Sequence, residues 1–351
     1  ETGATVDISS SNFSLTLKGN FTNNGTLMTR SGLIFLNGSS QQSLGGSSIT
    51  DFNDLTLNNS GGALMTAPQN LIGTLSLNNG TFNTNSQVLT MVSTATATAR
   101  VGQITGSGNI TGNVTVQRFV PGGYTGWALV GTPIVSSLTF NDLDDDLYIA
   151  CPNCPDGPSG YFVSIVAYDE TPSGNYDSAP SYVSMSSIND AINTDKGYWV
   201  YMGNGQFTTT DIVFDLSGSL RKFNYTLPLN YTNNGSVVDD GWNLIANPYP
   251  SAISWSSLKG STANVDNAIY VYNADLNGGT GGFASYVNGV SSPAVNAGGI
   301  GDVIPMSQGF YVHSTGATAL QAAEANKVTA NPAFLRPLSG PNPLIRLTLG
   351  N

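Results

Sequence analysis

The chain has 351 residues, only 9% of them charged, and its formal net charge is −11. With 11 Lys and Arg residues it lacks the clustered basic charge that nucleic-acid binding needs, and no apolar run of about 18 residues predicts a membrane span. Nineteen of the 22 acidic residues are Asp, a poor helix former, and Gly, Asn, Ser and Thr fill much of the remainder. We therefore expect an all-β protein, in which one His and two Cys leave few side chains for catalysis.

Short alternating segments recur about every 20 residues through the first third of the chain. They are Leu15–Leu17, Ile34–Leu36, Leu55–Leu57 and Leu75–Leu77, each followed by a Gly- or Asn-containing turn. Self-similarity of this length is typical of solenoids, and alternation with period two predicts strands. We interpret residues 1–119 as a β-solenoid-like or repetitive β segment, with an ordinary β-sandwich as the alternative. In either fold the regular Asn and Thr rows indicate structural ladders.

The acidic charge is concentrated in the middle third. Residues 120–240 carry three bases and fourteen acids, whereas residues 1–119 and 241–351 are each neutral. The densest cluster consists of Asp142, Asp144, Asp145 and Asp146. Four neighbouring carboxylates repel one another unless they are neutralised, and Ca²⁺ takes six to eight hard oxygen ligands, although the spacing is not that of an EF-hand. A calcium site and a solvated acidic loop are the two interpretations, and Ca²⁺ is the only cofactor that the sequence suggests.

The last two thirds of the chain contain an internal duplication. Three pairs of segments match in the same order: Gly126–Pro133 with Gly241–Pro248, Ile165–Asp169 with Ile269–Asn273, and Lys196–Val200 with Gln308–Val312. The matched aromatic residues are most simply core, and a sugar-stacking platform is the alternative. They are Trp127, Trp242, Trp199 and Tyr311. We predict two tandem β-sandwich-like modules, an acidic one at 120–240 and a second one at 241–351.

Catalytic and redox motifs are weak. Cys151 and Cys154 form a CxxC sequence without a second pair, so a local disulfide in an extracellular chain is a better interpretation than a zinc or redox site. The one histidine, His313, lies in a predicted strand, and no pair of acids is singled out for glycoside hydrolysis. We therefore expect that the protein is not an enzyme.

Two phrases resemble a module of large secreted Bacteroidetes proteins that the type IX secretion system exports. They are GWNLIANPYPS at 241–251 and SQGFYV at 307–312, downstream of a repetitive segment such as those proteins often carry. The resemblance implies an extracellular or cell-surface location and a structural or adhesive role, and it transfers no catalytic residue. The ends of the sequence, with neither a signal peptide nor a recognisable sorting domain, fit a processed product or a fragment.

The last predicted strand is a candidate for assembly. It alternates over residues 344–349, with apolar Leu344, Ile345, Leu347 and Leu349. Terminal strands can complete a neighbour's sheet, and head-to-tail contacts that do not close make filaments. We therefore expect a subunit of an extracellular fibre, filament or adhesive surface layer, with copies of itself or other surface proteins as partners. The alternative is a carbohydrate-binding adhesin module whose ligands are glycans.

Overall fold

The computed structural model describes residues 3–122, 126–155, 162–172, 181–203, 210–235, 239–330 and 332–334. Strands hold 43% of the residues and helices 7%, and the N-terminal region forms a β-solenoid of about five turns. The prediction of an all-β chain that begins with a solenoid is therefore confirmed. The predicted assembly strand, Leu344, Ile345, Leu347 and Leu349, lies outside the described residues.

The strands of the described solenoid segment are β1 Thr5–Asp7, β2 Leu15–Leu17, β3 Phe21–Thr22, β4 Thr26–Met28, β5 Leu33–Leu36, β6 Gln42–Gly45, β7 Asp51–Phe52, β8 Asp54–Asn58, β9 Ala63–Met65, β10 Gln69–Leu71, β11 Thr74–Asn79, β12 Thr81–Asn83, β13 Leu89–Met91, β14 Arg100–Val101, β15 Asn109–Thr111 and β16 Val114–Val120. The strands that follow are β17 Gly126–Val130, β18 Ile165–Tyr168, β19 Tyr182–Ser184, β20 Tyr198–Met202, β21 Ile212–Gly218, β22 Tyr225–Leu229, β23 Trp242–Ala246, β24 Ile253–Ser254, β25 Ala268–Asn273, β26 Gly282–Val287, β27 Val290–Ser292, β28 Val303–Ile304, β29 Gly309–His313 and β30 Thr318–Ala322. The helical segments are short: α1 Trp255–Lys259, α2 Leu276–Gly279 and the 3-10 turns Phe140–Leu143, Val295–Ala297 and Glu324–Asn326.

Three parallel sheets form the walls of the solenoid. Their strand orders are β2-β5-β8-β11-β14, β3-β6-β9-β12-β15 and β7-β10-β13-β16. The Leu-x-Leu repeat explains this stacking, because successive side chains of a strand point to opposite faces. Leu55 and Leu57 of β8 stack on Leu75 and Leu77 of β11, and all four are buried. The outward Thr56 lies beside Ser76 on the polar face.

One corner of the solenoid is held by a buried ladder of polar side chains. Gln42 donates to the carbonyls of Leu17 and Gly19, one turn away. Asn59, in the turn on the other side, donates to the Gln42 side-chain oxygen over 3.0 Å and to the Ser40 carbonyl over 2.7 Å. Because buried amide groups need hydrogen-bond partners, this ladder fixes the spacing and the register of three consecutive turns.

The duplicated segments fold into two sheets with the same strand order. The first sheet runs β17-β20-β18-β19 and the second runs β23-β29-β25-β26-β27. The matched segments are therefore the same strands: β17 corresponds to β23, β18 to β25 and β20 to β29. In both sheets the residue before the Pro, Thr132 or Asn247, accepts a hydrogen bond from the amide two residues later and turns the chain away.

The two sheets pack on each other around an approximate twofold axis. Val130 forms an isolated bridge with Gln308, and Lys196 forms one with Ile245. In the duplication Val130 corresponds to Ile245 and Lys196 to Gln308, so each bridge is the image of the other. Trp199 lies near this axis and donates its indole N–H to the hydroxyl of Tyr311, its own counterpart, over 2.8 Å. The pair of modules thus has the geometry of an isologous dimer within one chain.

The C-terminal end of the solenoid is closed by later parts of the chain. Strand β16 crosses the predicted boundary at residues 119 and 120, and it pairs antiparallel with β21 over seven residues. The edge of β14 is covered where the amide of Val101 donates to the carbonyl of Pro250 over 2.8 Å. Lys222 donates to the carbonyl of Ile110 in β15. All three sheets are thus covered at this end.

Candidate functional site

The four clustered aspartates have different roles in the structure. Asp142 caps the 3-10 turn Phe140–Leu143, because its carboxylate accepts from the Thr139 amide over 2.7 Å. Asp146 accepts from the backbone amide of Asp215, in β21, over 2.8 Å. Asp144 and Asp145 lie between them in sequence, and both line an open polar groove of about 470 Å³. Two of the four carboxylates therefore already hold backbone amides.

The sequence did not identify Asp215 as part of this groove, which it lines together with Asp142, Asp144 and Asp145. Burial raises the pKa of Asp146 and of Asp215, and the charge of nearby Asp145 raises both further. Among the described residues, no group of three or more His, Cys, Asp or Glu side chains is arranged to hold a metal ion. Calcium binding by Asp142, Asp144, Asp145 and Asp146 stays a prediction.

The CxxC sequence lies just after the acidic loop. Cys151 and Cys154 are joined by a disulfide and both are buried, with their Cα atoms 5.0 Å apart. They belong to the hydrophobic core that includes Leu147 and Ile149. The bridge therefore holds the chain that leaves the acidic loop against the core.

Both ring nitrogens of His313 contact neighbouring groups. Nε2 lies 2.9 Å from the carbonyl of Asp240, and Nδ1 lies 2.8 Å from the carboxylate of Asp266. The ring also packs on Trp242, with 5.0 Å between centroids. These contacts explain the position of the histidine through packing and through the connection of its strand to two loops.

Two buried glutamates join parts of the chain that are distant in sequence. Glu324 accepts from the amides of Ile104 in the solenoid and Phe223 after β21, each over 2.8 Å, and it forms a 2.8 Å salt bridge with buried Lys327. Glu170 accepts from the Gly241 amide over 3.0 Å and from the Thr232 hydroxyl over 2.8 Å, which ties the first module to the start of the second. No local sequence pattern indicates these contacts, because each glutamate binds amides that are distant from it in sequence.

An aromatic cluster extends from the contact between the two sheets towards the surface. Phe162 packs on Tyr201 with 4.7 Å between ring centroids, and Trp199 packs on Tyr272 with 4.8 Å. Phe162 and Phe283 are 38% and 46% exposed. Tyr311 is buried, as predicted, whereas Trp127, Trp199 and Trp242 are only partly buried and the two outer phenylalanines face solvent.

The N-terminal end of the solenoid differs from the closed end. Strands β1, β2 and β3 each pair with one neighbour among the described strands, and these neighbours are β4, β5 and β6. Leu15 and Leu17 of β2 are only partly buried, although their partners Ile34 and Leu36 in β5 are fully buried. Phe13 is 65% exposed and Val6 is 54% exposed. We call this surface, formed by β1, β2, β3 and Phe13, the open end.

Neither the helices of this chain nor comparisons with known proteins assign it to a family. None of the helices in the described part of the chain is long and apolar enough to cross a membrane. No protein-family model, no curated protein and no solved structure matches this chain.

Proposed function

We propose that the protein is an extracellular structural protein, a subunit of a cell-surface fibre, filament or adhesive layer that assembles through the open end of its solenoid. The observation that carries the proposal is the contrast between the two ends. One end is covered by β21, Pro250 and Lys222, whereas the other presents partly exposed leucines and three strand edges that no other described strand covers. Unpaired edges above an apolar interior favour association with another chain.

The composition and the resemblance to secreted Bacteroidetes proteins support the location. A chain with 9% charged residues and a buried disulfide suits the cell exterior, where disulfides persist. Export by the type IX system, partnership with copies of itself or with other surface proteins, and a role for Ca²⁺ are parts of the same proposal.

The test is assembly of the purified protein with one charge placed at the open end. Leu17→Asp puts a carboxylate on the inward face of β2, whereas Thr16→Asp puts one on the exposed outward face of the same strand. We expect polymers in negative-stain electron microscopy and sedimentation for the wild type and for Thr16→Asp, and monomers for Leu17→Asp. Wild-type protein that sediments as a monomer at every concentration, or Leu17→Asp protein that still polymerises, contradicts the proposal.

The second candidate is glycan binding on the exposed part of the aromatic cluster. Exposed Phe162 and Phe283 pack on Trp127 and Trp199, respectively. Exposed apolar patches of this kind mark ligand-binding surfaces in many proteins. A glycan array tests this function: Phe283→Ala should abolish any binding that is found, whereas Val290→Ala, which is 66% exposed on the same sheet, should retain it. Equal binding by both variants would exclude the aromatic cluster as the binding site.

A further inference from the structure

The edge of β2 has requirements that the chain itself can meet. In this sheet of the solenoid, each strand pairs in parallel with the next, and an aliphatic side chain lies beside another aliphatic side chain. Leu15 lies beside Ile34, and Leu17 lies beside Leu36. A further strand on the outer edge of β2 must therefore alternate with apolar residues at every second position. Phe13, Leu15 and Leu17 are two residues apart, so they occupy alternate positions along the chain. The added strand therefore needs three apolar residues at alternate positions to cover these side chains.

The segment 344–349 has this pattern and repeats the β2 sequence. Leu347-Thr348-Leu349-Gly350-Asn351 matches Leu15-Thr16-Leu17 with its Gly19-Asn20 turn, and it matches Leu55-Thr56-Leu57 with Asn58-Asn59. Aligned on β2, the segment sets Ile345 over Phe13, Leu347 over Leu15 and Leu349 over Leu17. Its prolines, Pro337, Pro341 and Pro343, all precede it, so none interrupts the ladder.

We propose that residues 344–349 of one copy bind as a parallel strand on the outer edge of β2 in a neighbouring copy, with Leu347 beside Leu15 and Thr348 beside Thr16. This is the edge of β2 that has no partner among the described strands. The proposal rests on the proposed function and names the partner of the open end. Stacking of like residues in register is how parallel strands pair inside the solenoid and in cross-β assemblies. The added strand, which contains Leu347, Thr348 and Leu349, then extends the sheet β2-β5-β8-β11-β14 beyond β2.

The direct test is binding of a synthetic peptide of residues 341–351 to the full chain carrying Leu347→Asp and Leu349→Asp, whose own segment is disabled. We expect saturable binding by isothermal titration calorimetry, and at least about a tenfold loss when Leu17→Asp is added to the receptor chain but not when Thr16→Asp is added. A peptide of the same composition in scrambled order is the control. No binding, or equal binding by both receptors, overturns the proposal.

Cross-linking tests the register and the source of the strand. Adjacent parallel strands lie about 4.8 Å apart, within the Cα distance that a disulfide spans. Mixing Thr16→Cys protein with Thr348→Cys protein under mild oxidation should give a dimer, and replacing the first by Lys18→Cys should reduce its yield. If the double variant Thr16→Cys/Thr348→Cys forms only a bridge within one chain, the commitment to a neighbouring copy is wrong.

These outcomes separate the two proposals. If Leu17→Asp abolishes polymers while deletion of residues 341–351 leaves them unchanged, the open end is the assembly surface and the occupant is another segment, which overturns this inference alone. If wild-type protein is monomeric yet binds the peptide at β2, the proposed filament fails and the strand site remains. Loss of polymers in both variants, with folded monomers by circular dichroism, supports both.

Discussion

The buried amide side chains of the solenoid corners show how neighbouring residues of one type take different roles. Asn59 is buried and its side chain is fully engaged with groups on two turns, whereas Asn58 beside it is exposed. The next corner is equally tight: Gly80 has a φ of 86°, and a Cβ at this position would lie 1.9 Å from the carbonyl oxygen of Asn59. The Asn-rich composition thus includes a small set of residues that set the spacing of the turns.

Asn59→Ala should lower the free energy of unfolding by about 1–3 kcal/mol, because the Gln42 side-chain oxygen and the Ser40 carbonyl lose a buried donor. Urea denaturation followed by circular dichroism measures the change. Asn58→Ala is the matched control and should change the stability by less than about 0.5 kcal/mol. Equal effects of the two substitutions would show that the ladder does not stabilise the corner.

Asp215→Asn should stabilise the protein at neutral pH. Because the pKa of Asp215 is raised in the folded state, wild-type stability falls as the pH rises from the ordinary value of 3.8 through the raised pKa, and the loss persists above it. The amide keeps the shape and an acceptor for Gln117 while it removes the charge near Asp145 and Asp146. Since the group is partly solvated, we expect Tm to increase by only about 1–2 °C at pH 7 and by less at pH 4.

The control for this change is Asp211→Asn, which removes an exposed charge just before β21 and keeps an acceptor for the Gly122 amide. Differential scanning fluorimetry across pH 4–8 should show a Tm gain for Asp215→Asn that grows with pH. A gain of the same size at every pH, or one shared by Asp211→Asn, would mean that local repulsion in the groove is not its cause.

At the scale of elements, local sequence patterns predicted the strands and which of their faces are buried. They did not predict the contacts between segments that are distant in sequence. The Leu-x-Leu repeat indicated the parallel stacks because inward and outward positions alternate, and the match of Gly126–Pro133 with Gly241–Pro248 indicated two like modules. The position of Asp215 beside Asp146 depends on the pairing of β16 with β21. Nothing local specifies a pairing of strands that are separated by almost 100 residues. The contacts of Glu324 with Ile104 and Phe223 were hidden for the same reason.

We expect the 3-10 turn that carries Glu324 to stabilise the contact between the solenoid and the modules. Glu324→Ala leaves the Lys327 ammonium buried without its carboxylate and two backbone amides without their acceptor, so we expect a loss of about 3–5 kcal/mol. Hydrogen exchange should accelerate at the amides of Ile104 and Phe223 in particular. Glu324→Gln with Lys327→Met removes both charges and keeps an acceptor, and this double variant should recover part of the stability. Unchanged exchange at Ile104 would contradict the assignment.

On the scale of the whole molecule, the solenoid and the two sheets are connected by a shared sheet, by Glu324 and by Lys222. The largest hydrophobic cluster of the described residues extends from Ile34 in the solenoid to Phe214 in β21 and Val200 in the first sheet. A second cluster, around Trp255 and Phe310, joins the second module to Leu227 and Leu229 of β22, the strand that pairs with β30. Because the packing is continuous across the solenoid and the acidic module, these two parts share one core.

We therefore expect the solenoid and the sheets to unfold together. The four Trp residues of the chain all follow the solenoid, at 127, 199, 242 and 255, so their fluorescence reports the two sheets, whereas far-ultraviolet circular dichroism includes the solenoid strands. The midpoints from the two probes should coincide, and the calorimetric enthalpy should equal the van't Hoff enthalpy. Separate midpoints would show that the solenoid is an independent folding unit.

The pairing of β16 with β21 has a consequence for the order in which the chain matures. The turns of the solenoid involve local contacts and can stack as soon as they leave the ribosome or a secretion channel. The edge of β16 stays uncovered until the chain has emerged as far as residue 218, the end of β21. The carboxylate that accepts from the Ile104 amide emerges later still, with Glu324. The solenoid is therefore the first part to fold and the last to have its edge covered, and until then this exposed edge is prone to aggregation.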